Sequence, residues 1–169
     1  MTRAVATIRP ARRDDADRLA AIYNQGIEDR TATFETRPRT PHEAADWLRT
    51  GLPVLVAELG GDVVGFARVG AYSPRPAYAG VAEHTVYVDR EARGHGIGRA
   101  LLDALAVAAA EAGLHKLTSR VFAENGPSLA MHRAAGFDVV GVHRRHARLD
   151  GRWIDCVVVE RLVGAALEP

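Results

Sequence analysis

The chain has 169 residues, 47% of them hydrophobic, and a formal net charge of +1. That length suits one domain with a substantial core, and the scattered, near-balanced charge gives no field for nucleic acid or an anionic membrane surface. No apolar run is long enough to cross a bilayer, MTRAVATIRPARRDD lacks a signal-peptide hydrophobic stretch, and the single cysteine, Cys156, allows neither an internal disulfide nor a cysteine metal cluster, so a cytoplasmic protein without a metal is expected.

AVATIRP (residues 4–10) reads as a first strand stopped by Pro10. Asp14 and Asp15 then offer an N-cap, and Ala16, Leu19, Ala20, Ile22, Tyr23 and Ile27 recur at helical spacing. TATFETRPRTP is a loop, and HEAADWLRT a second helix with Pro41 at its start. PVLVAEL and VVGFARVGAY, joined through GGD, read as a hairpin. The loop SPRPAYAG leads into a β-branched and aromatic strand, AEHTVYV. A long helix ends near Ala112 with Gly113 as its stop, and KLTSRVF is a strand. A short helix spans Pro127 to Gly136, and two strands, DVVGVHRRHARL and RWIDCVVVERL, close the chain around Asp150-Gly151. The order β-α-α-β-β-β-α-β-α-β-β implies tight antiparallel pairs plus one parallel pair across residues 82–122. The expected class is therefore α/β (α+β): a mixed, mostly antiparallel sheet of about seven strands flanked by about four helices. It forms one domain over residues 1–169, with a core from about residue 7 to 163.

REARGHGIGRALLDAL places Gly94, Gly96 and Gly98 where a loop enters a helix. Glycine weakens a helix by roughly 1 kcal/mol against alanine, so another use is implied. A loop entering a helix presents unpaired N–H groups and the positive end of the dipole, and glycine lets backbone approach a ligand: an anion cradle, with phosphate the usual occupant. No Gly-Lys-Ser/Thr ends the run, and Arg99 stands where a dinucleotide fingerprint needs its last glycine.

Arg93-Gly94-His95-Gly96-Ile97-Gly98 resembles the Arg/Gln-x-x-Gly-x-Gly/Ala signature of GNAT-type N-acetyltransferases. The resemblance runs from about Ile8 to Leu162 and is strongest to the phosphinothricin N-acetyltransferase group, through IYNQGI, TATFETRPRT, RPAYAGVAEHTVYV, RGHGIGRALLDAL, ENGPSLAMHRAAGF and DGRWIDCVV. It implies a homodimeric enzyme that transfers acetyl from acetyl-CoA to the α-amine of an amino acid or analogue. Acetylation of protein N-termini or ribosomal proteins is the alternative, and a catalytically silent CoA-binding module a third reading. By this resemblance Arg93, Gly94, His95, Gly96, Ile97, Gly98 and Arg99 hold the CoA pyrophosphate, while Val86, Tyr87 and Val88 border the pantetheine arm. Asn125 and Ser128 complete the cofactor site, although Asn125 also suits a plain N-cap.

Acetyl transfer needs a neutral amine, an aligned thioester and stabilisation of an oxyanion. Glu83, in an otherwise apolar strand, is the candidate base, with partial burial expected to raise its pKa, and the resemblance points to the same position; the alternative is a solvated strand residue or one paired with a nearby arginine. His132 is the candidate acid for the departing thiolate, or a space-filling core histidine. Arg75 is the expected partner of a substrate carboxylate, with Tyr78 and Tyr87 shaping the pocket, and the resemblance implies that Phe34 and Glu35 belong to a substrate-side loop. Trp47 and Trp153 suit a core or a dimer contact, and Cys156 the core. His143 and His146, three apart on a strand, are expected on opposite faces and so make a poor metal pair.

Overall fold

The strand-like segments assemble into one seven-stranded sheet in the order β1-β2-β3-β4-β5-β7-β6. The computed structural model describes residues 5–168. In chain order the elements are β1 (Thr7–Pro10), α1 (Ala16–Asp29), α2 (Pro41–Trp47), β2 (Val54–Leu59), β3 (Asp62–Ala71), β4 (Val81–Val88), α3 (Ile97–Glu111), β5 (Lys116–Phe122), α4 (Gly126–Ala134), β6 (Asp138–Leu149) and β7 (Arg152–Leu162). Ala4, the first residue of the expected first strand, lies outside the described residues. Only β4–β5 is parallel; every other pairing is antiparallel. The expected class and element order are observed.

Period-2 alternation sorts the side chains of the central strands onto two faces. Leu55, Ala57, Ala67, Val69, Ala82 and Leu117 pack against Leu101, Leu102, Leu105 and Ala109 of α3. Val56 and Phe66 meet Leu19 and Ile22 of α1 and Ala44 of α2 on the other face. The alanine-rich α3 therefore lies against the sheet, as its broad apolar stripe predicts. Trp47 belongs to the α1–α2 layer, its ring 5.7 Å from that of Phe66, whereas Trp153 is 50% exposed beneath the guanidinium of Arg148.

Two local expectations fail. Asp15 makes no side-chain cap on α1; its carboxylate accepts the Arg12 N–H at 2.6 Å and grips the Arg9 guanidinium at 2.8 and 3.0 Å. A neighbouring cation and a preceding turn satisfy it better than the helix end does. His143 and His146 do not point apart: their ring centroids are 4.6 Å from each other. A bulge between His143 and Ala147, with Arg145 at φ +49°, inserts residues into β6 and cancels strict alternation. No group of three or more metal-ligating side chains occurs among the described residues.

Phe66 is fully buried between the sheet and the α1–α2 layer. Phe66→Ala is expected to cost about 3–5 kcal/mol of unfolding free energy, read from urea denaturation.

Candidate active site

β4 and β5 pair only at Val81↔Lys116, Ala82↔Leu117 and Glu83↔Thr118, although both strands continue, to Val88 and Phe122. Beyond Glu83 each follows its other neighbour, β4 staying with β3 and β5 with β7. The sheet thus opens into a wedge bordered by Thr85, Val86, Ser119, Arg120, Asn125 and His132. The Asp89 N–H bonds the Val64 carbonyl at 2.8 Å, so ladder alternation turns the peptide groups of Val86 and Val88 toward the missing partner. The Val88 carbonyl is taken by Arg93 Nε at 3.0 Å. Thr85 Oγ1 is buried at the wedge without a partner. Unsatisfied groups along a slot of this kind suit an extended, amide-bearing ligand.

The glycine loop lies at the N-terminus of α3. Gly94 and Gly96 adopt φ +77° and +78°, with open space where a Cβ would stand, so they serve the turn. The N–H groups of Ile97, Gly98 and Arg99 have no intrahelical acceptor and offer the expected anion cradle. Gly98 serves packing instead: a Cβ there would collide with Met131, so its absence lets α4 close on α3. Arg93 is folded toward α1, 2.8 Å from Asp29, and His95 Nδ1 donates to the Arg93 carbonyl at 2.8 Å. Both shape the loop. Arg99 reaches Asp103 at 3.6 Å and stays exposed.

Glu83 ends the β4–β5 pairing, at the apex of the wedge. Its Oε1 accepts from Arg120 at 2.6 Å, and the side chain is 39% exposed. It is therefore partly buried, as the sequence suggested, and paired with an arginine. Its Oε2 has no partner among the described residues. Arg120, which sequence reasoning missed, comes from a strand distant in sequence, and only the register brings it here.

Tyr87 points away from Val86 and Val88, as alternation requires. It packs on Tyr23 and Phe66 with ring centroids 5.0 and 5.7 Å away, and burial pushes its phenol pKa up. Phe34 reaches the wedge through Phe122, 4.7 Å between centroids, while Glu35 pairs with Arg39 at 3.1 Å. Arg75 and Tyr78 lie exposed on the β3–β4 loop, where Tyr78 packs edge-on against Tyr72. Neither borders the wedge.

Asn125 caps α4 by accepting the Ser128 N–H at 3.1 Å, and its amide donates to the Thr31 carbonyl at 3.0 Å. Both ends of the side chain are engaged, so it also ties α4 to the α1–α2 loop. His132 is 3% exposed; its Nδ1–H donates to the Ser128 carbonyl at 2.8 Å, and Ser128 Oγ stands 3.4 Å from the same nitrogen. Its Nε2 lies 3.0 Å from Nε2 of His84, a second fully buried histidine that the sequence reading passed over. With Nδ1–H committed, a neutral His132 receives the N–H of His84, which leaves His84 Nδ1 without a partner of hydrogen-bond geometry. Burial pushes both pKa values below the ordinary histidine value, and for His84 the neighbouring His132 adds to the effect. His132 borders the wedge while making its hydrogen bonds to Ser128 and His84.

A half-open sheet with an anion cradle at its mouth and a carboxylate at its apex suits a group-transfer enzyme. The chain belongs to the Acetyltransferase (GNAT) family, whose model matches residues 19–137. It is 34% identical over 160 residues to the L-methionine sulfoximine/L-methionine sulfone acetyltransferase of Pseudomonas paraeruginosa, covering 92% of this chain and 93% of the relative. The solved GNAT superfamily phosphinothricin acetyltransferase from Sinorhizobium meliloti, in complex with AcCoA, superposes with TM-score 0.87 at 32% identity, covering 94% of this chain and 89% of the other. A ribosomal-protein-alanine N-acetyltransferase from Brucella melitensis superposes with TM-score 0.88 at 37% identity, covering 93% and 99%.

Because His84 and His132 are held neutral, the unfolded chain takes up protons near pH 6.5 that the folded chain refuses. Stability is complete above that pH and declines below it. The loss expected at pH 5.5 relative to pH 7.5 is about 1 kcal/mol per histidine, read from paired urea titrations, with a shallower slope in His84→Met.

Proposed function

We propose that the protein transfers the acetyl group of acetyl-CoA to the α-amine of an amino acid or analogue, of the phosphinothricin or methionine sulfone and sulfoximine type, by direct attack. The observation that carries this reading is the carboxylate of Glu83 at the apex of the wedge, one oxygen anchored by Arg120 and the other unpartnered. The cradle and the open edge of β4 fit a pyrophosphate and an amide-bearing arm: Ile97, Gly98 and Arg99 offer N–H groups to the first, and Val86 offers its peptide to the second. Acetyl-CoA brings an activated acyl carbon and a thiolate leaving group.

Glu83 Oε2 accepts a proton from the ammonium, directly or through one water, so that the free amine attacks the carbonyl. The Val86 N–H supports the oxyanion. The C–S bond then breaks and the nitrogen gives up its second proton: of the two protons lost by the ammonium, one passes to the departing thiolate by way of Glu83 and the other is released to solvent. His132, neutral and engaged at both nitrogens, holds the Ser128 end of α4 against the wedge. No covalent enzyme intermediate is needed. The Sinorhizobium and Pseudomonas relatives, whose names specify small amino-acid analogues, support this acceptor class over a protein N-terminus.

The active form in this reading is a cytoplasmic homodimer. β6 is an edge strand on which Val139, Val140 and Val142 are more than half exposed, which suits an interface. The lone, buried Cys156 suits a reducing compartment. Light scattering is expected to give twice the chain mass, and Val140→Lys to shift the protein toward monomer.

The deciding assay follows CoA-thiol release with free amino acids, phosphinothricin, methionine sulfone, methionine sulfoximine and short peptides. Turnover of a free amino acid or analogue is expected, with kcat falling about 100-fold or more in Glu83→Gln while acetyl-CoA affinity holds. Turnover confined to peptides would overturn the acceptor class.

A further inference from the structure

Arg68 is a partly buried cation in the middle of the sheet with no hydrogen-bond or ion-pair partner among the described residues. All other charged side chains at this site are matched: Glu83 with Arg120, Glu35 with Arg39. The Arg68 guanidinium carbon sits 4.5 Å above the ring of Trp47, which holds it in place without neutralising it. Its other charged neighbour is Arg39, which opposes it, and the nearby Tyr23 and Tyr87 are phenols. Burial accordingly pushes its pKa down. An arginine left in this state is short of an anion.

The register says where that anion would lie. Arg68 stands opposite Thr85, and Gly70 opposite Glu83, so Arg68 and Glu83 are diagonal neighbours on one face of the β3–β4 pair. Arg68 Nη1 is the one heavy atom within 4 Å of the place a Gly70 side chain would fill. The missing side chain leaves an open slot with the Glu83 carboxylate beside it and a guanidinium at its edge. Glu83, Arg120 and Arg68 together carry a surplus positive charge, and one bound carboxylate cancels it. An α-amino acid carries its amine and carboxylate on a single carbon, so one molecule can offer the first to Glu83 and the second to Arg68.

We propose that Arg68 is the specificity-determining residue that binds the substrate's carboxylate, in place of Arg75 on the exposed loop. This assignment rests on the amino-acid reading of the acceptor. Arg68 takes no part in bond making: it orients the acceptor and excludes amines that lack an acid group. A guanidinium can meet a carboxylate through two parallel N–H donors, a geometry lysine cannot copy.

The test compares kcat/KM for L-methionine sulfone with that for 3-(methylsulfonyl)propan-1-amine, the same molecule without its carboxylate, in wild type, Arg68→Met, Arg68→Lys and Arg75→Met. Thermal melting and acetyl-CoA titration accompany each variant, so that a folding defect is seen as one. The expected result is a preference for the amino acid in wild type that drops roughly 10- to 100-fold in Arg68→Met, through KM rather than kcat, with activity on the bare amine retained and partial recovery in Arg68→Lys. A preference unchanged in folded Arg68→Met, or lost in Arg75→Met alone, overturns the assignment and leaves the acceptor class standing. A wild type that favours the bare amine overturns both.

Discussion

The structure depends on one constraint: β4 cannot keep both of its neighbours. It pairs with β3 from Ala82 to Val88 but with β5 for only three residues. A strand that loses a partner exposes a row of peptide groups, and such groups are costly unless something satisfies them. Here the missing partner is replaced by a slot whose mouth is the N-terminus of α3 and whose apex is Glu83. The slot, its unpaired peptide groups and the position of Glu83 all follow from where the pairing stops.

Charge is distributed around that apex unevenly. Arg120 anchors one oxygen of Glu83 and leaves the other without a partner, while Arg68, across the β3–β4 ladder, has no counter-ion. A fully neutralised site would bind a zwitterion poorly, because no group would be left for its carboxylate. The aromatic layer of Tyr23, Trp47, Phe66 and Tyr87 holds the site against α1 and α2, so its dimensions are set by packing rather than by a loop.

His84 and His132 form a buried pair. These two rings bond to each other and to the Ser128 carbonyl. Burial keeps them neutral, and their contribution is to lock α4 to β4. Gly98 also serves packing: within a run that reads as a phosphate cradle, it is the glycine that makes room for Met131.

The sequence by itself determined the element order, the parallel pair and the helix-entry loop, because each rests on local periodicity or on residues close together along the chain; Glu83 was singled out through the family resemblance. Alternation placed Tyr87 opposite Val86 and Val88 correctly, and it failed for His143 and His146 because a bulge breaks the period. Only the tertiary structure decided that β7 lies between β5 and β6, that the wedge opens just past Glu83, that Arg120 pairs with Glu83 and His84 with His132, and that Arg68 lies diagonal to Glu83. Those facts depend on cross-strand register between segments tens of residues apart. Register is set by the packing of whole faces against α1, α2 and α3, and no short stretch of sequence contains that information.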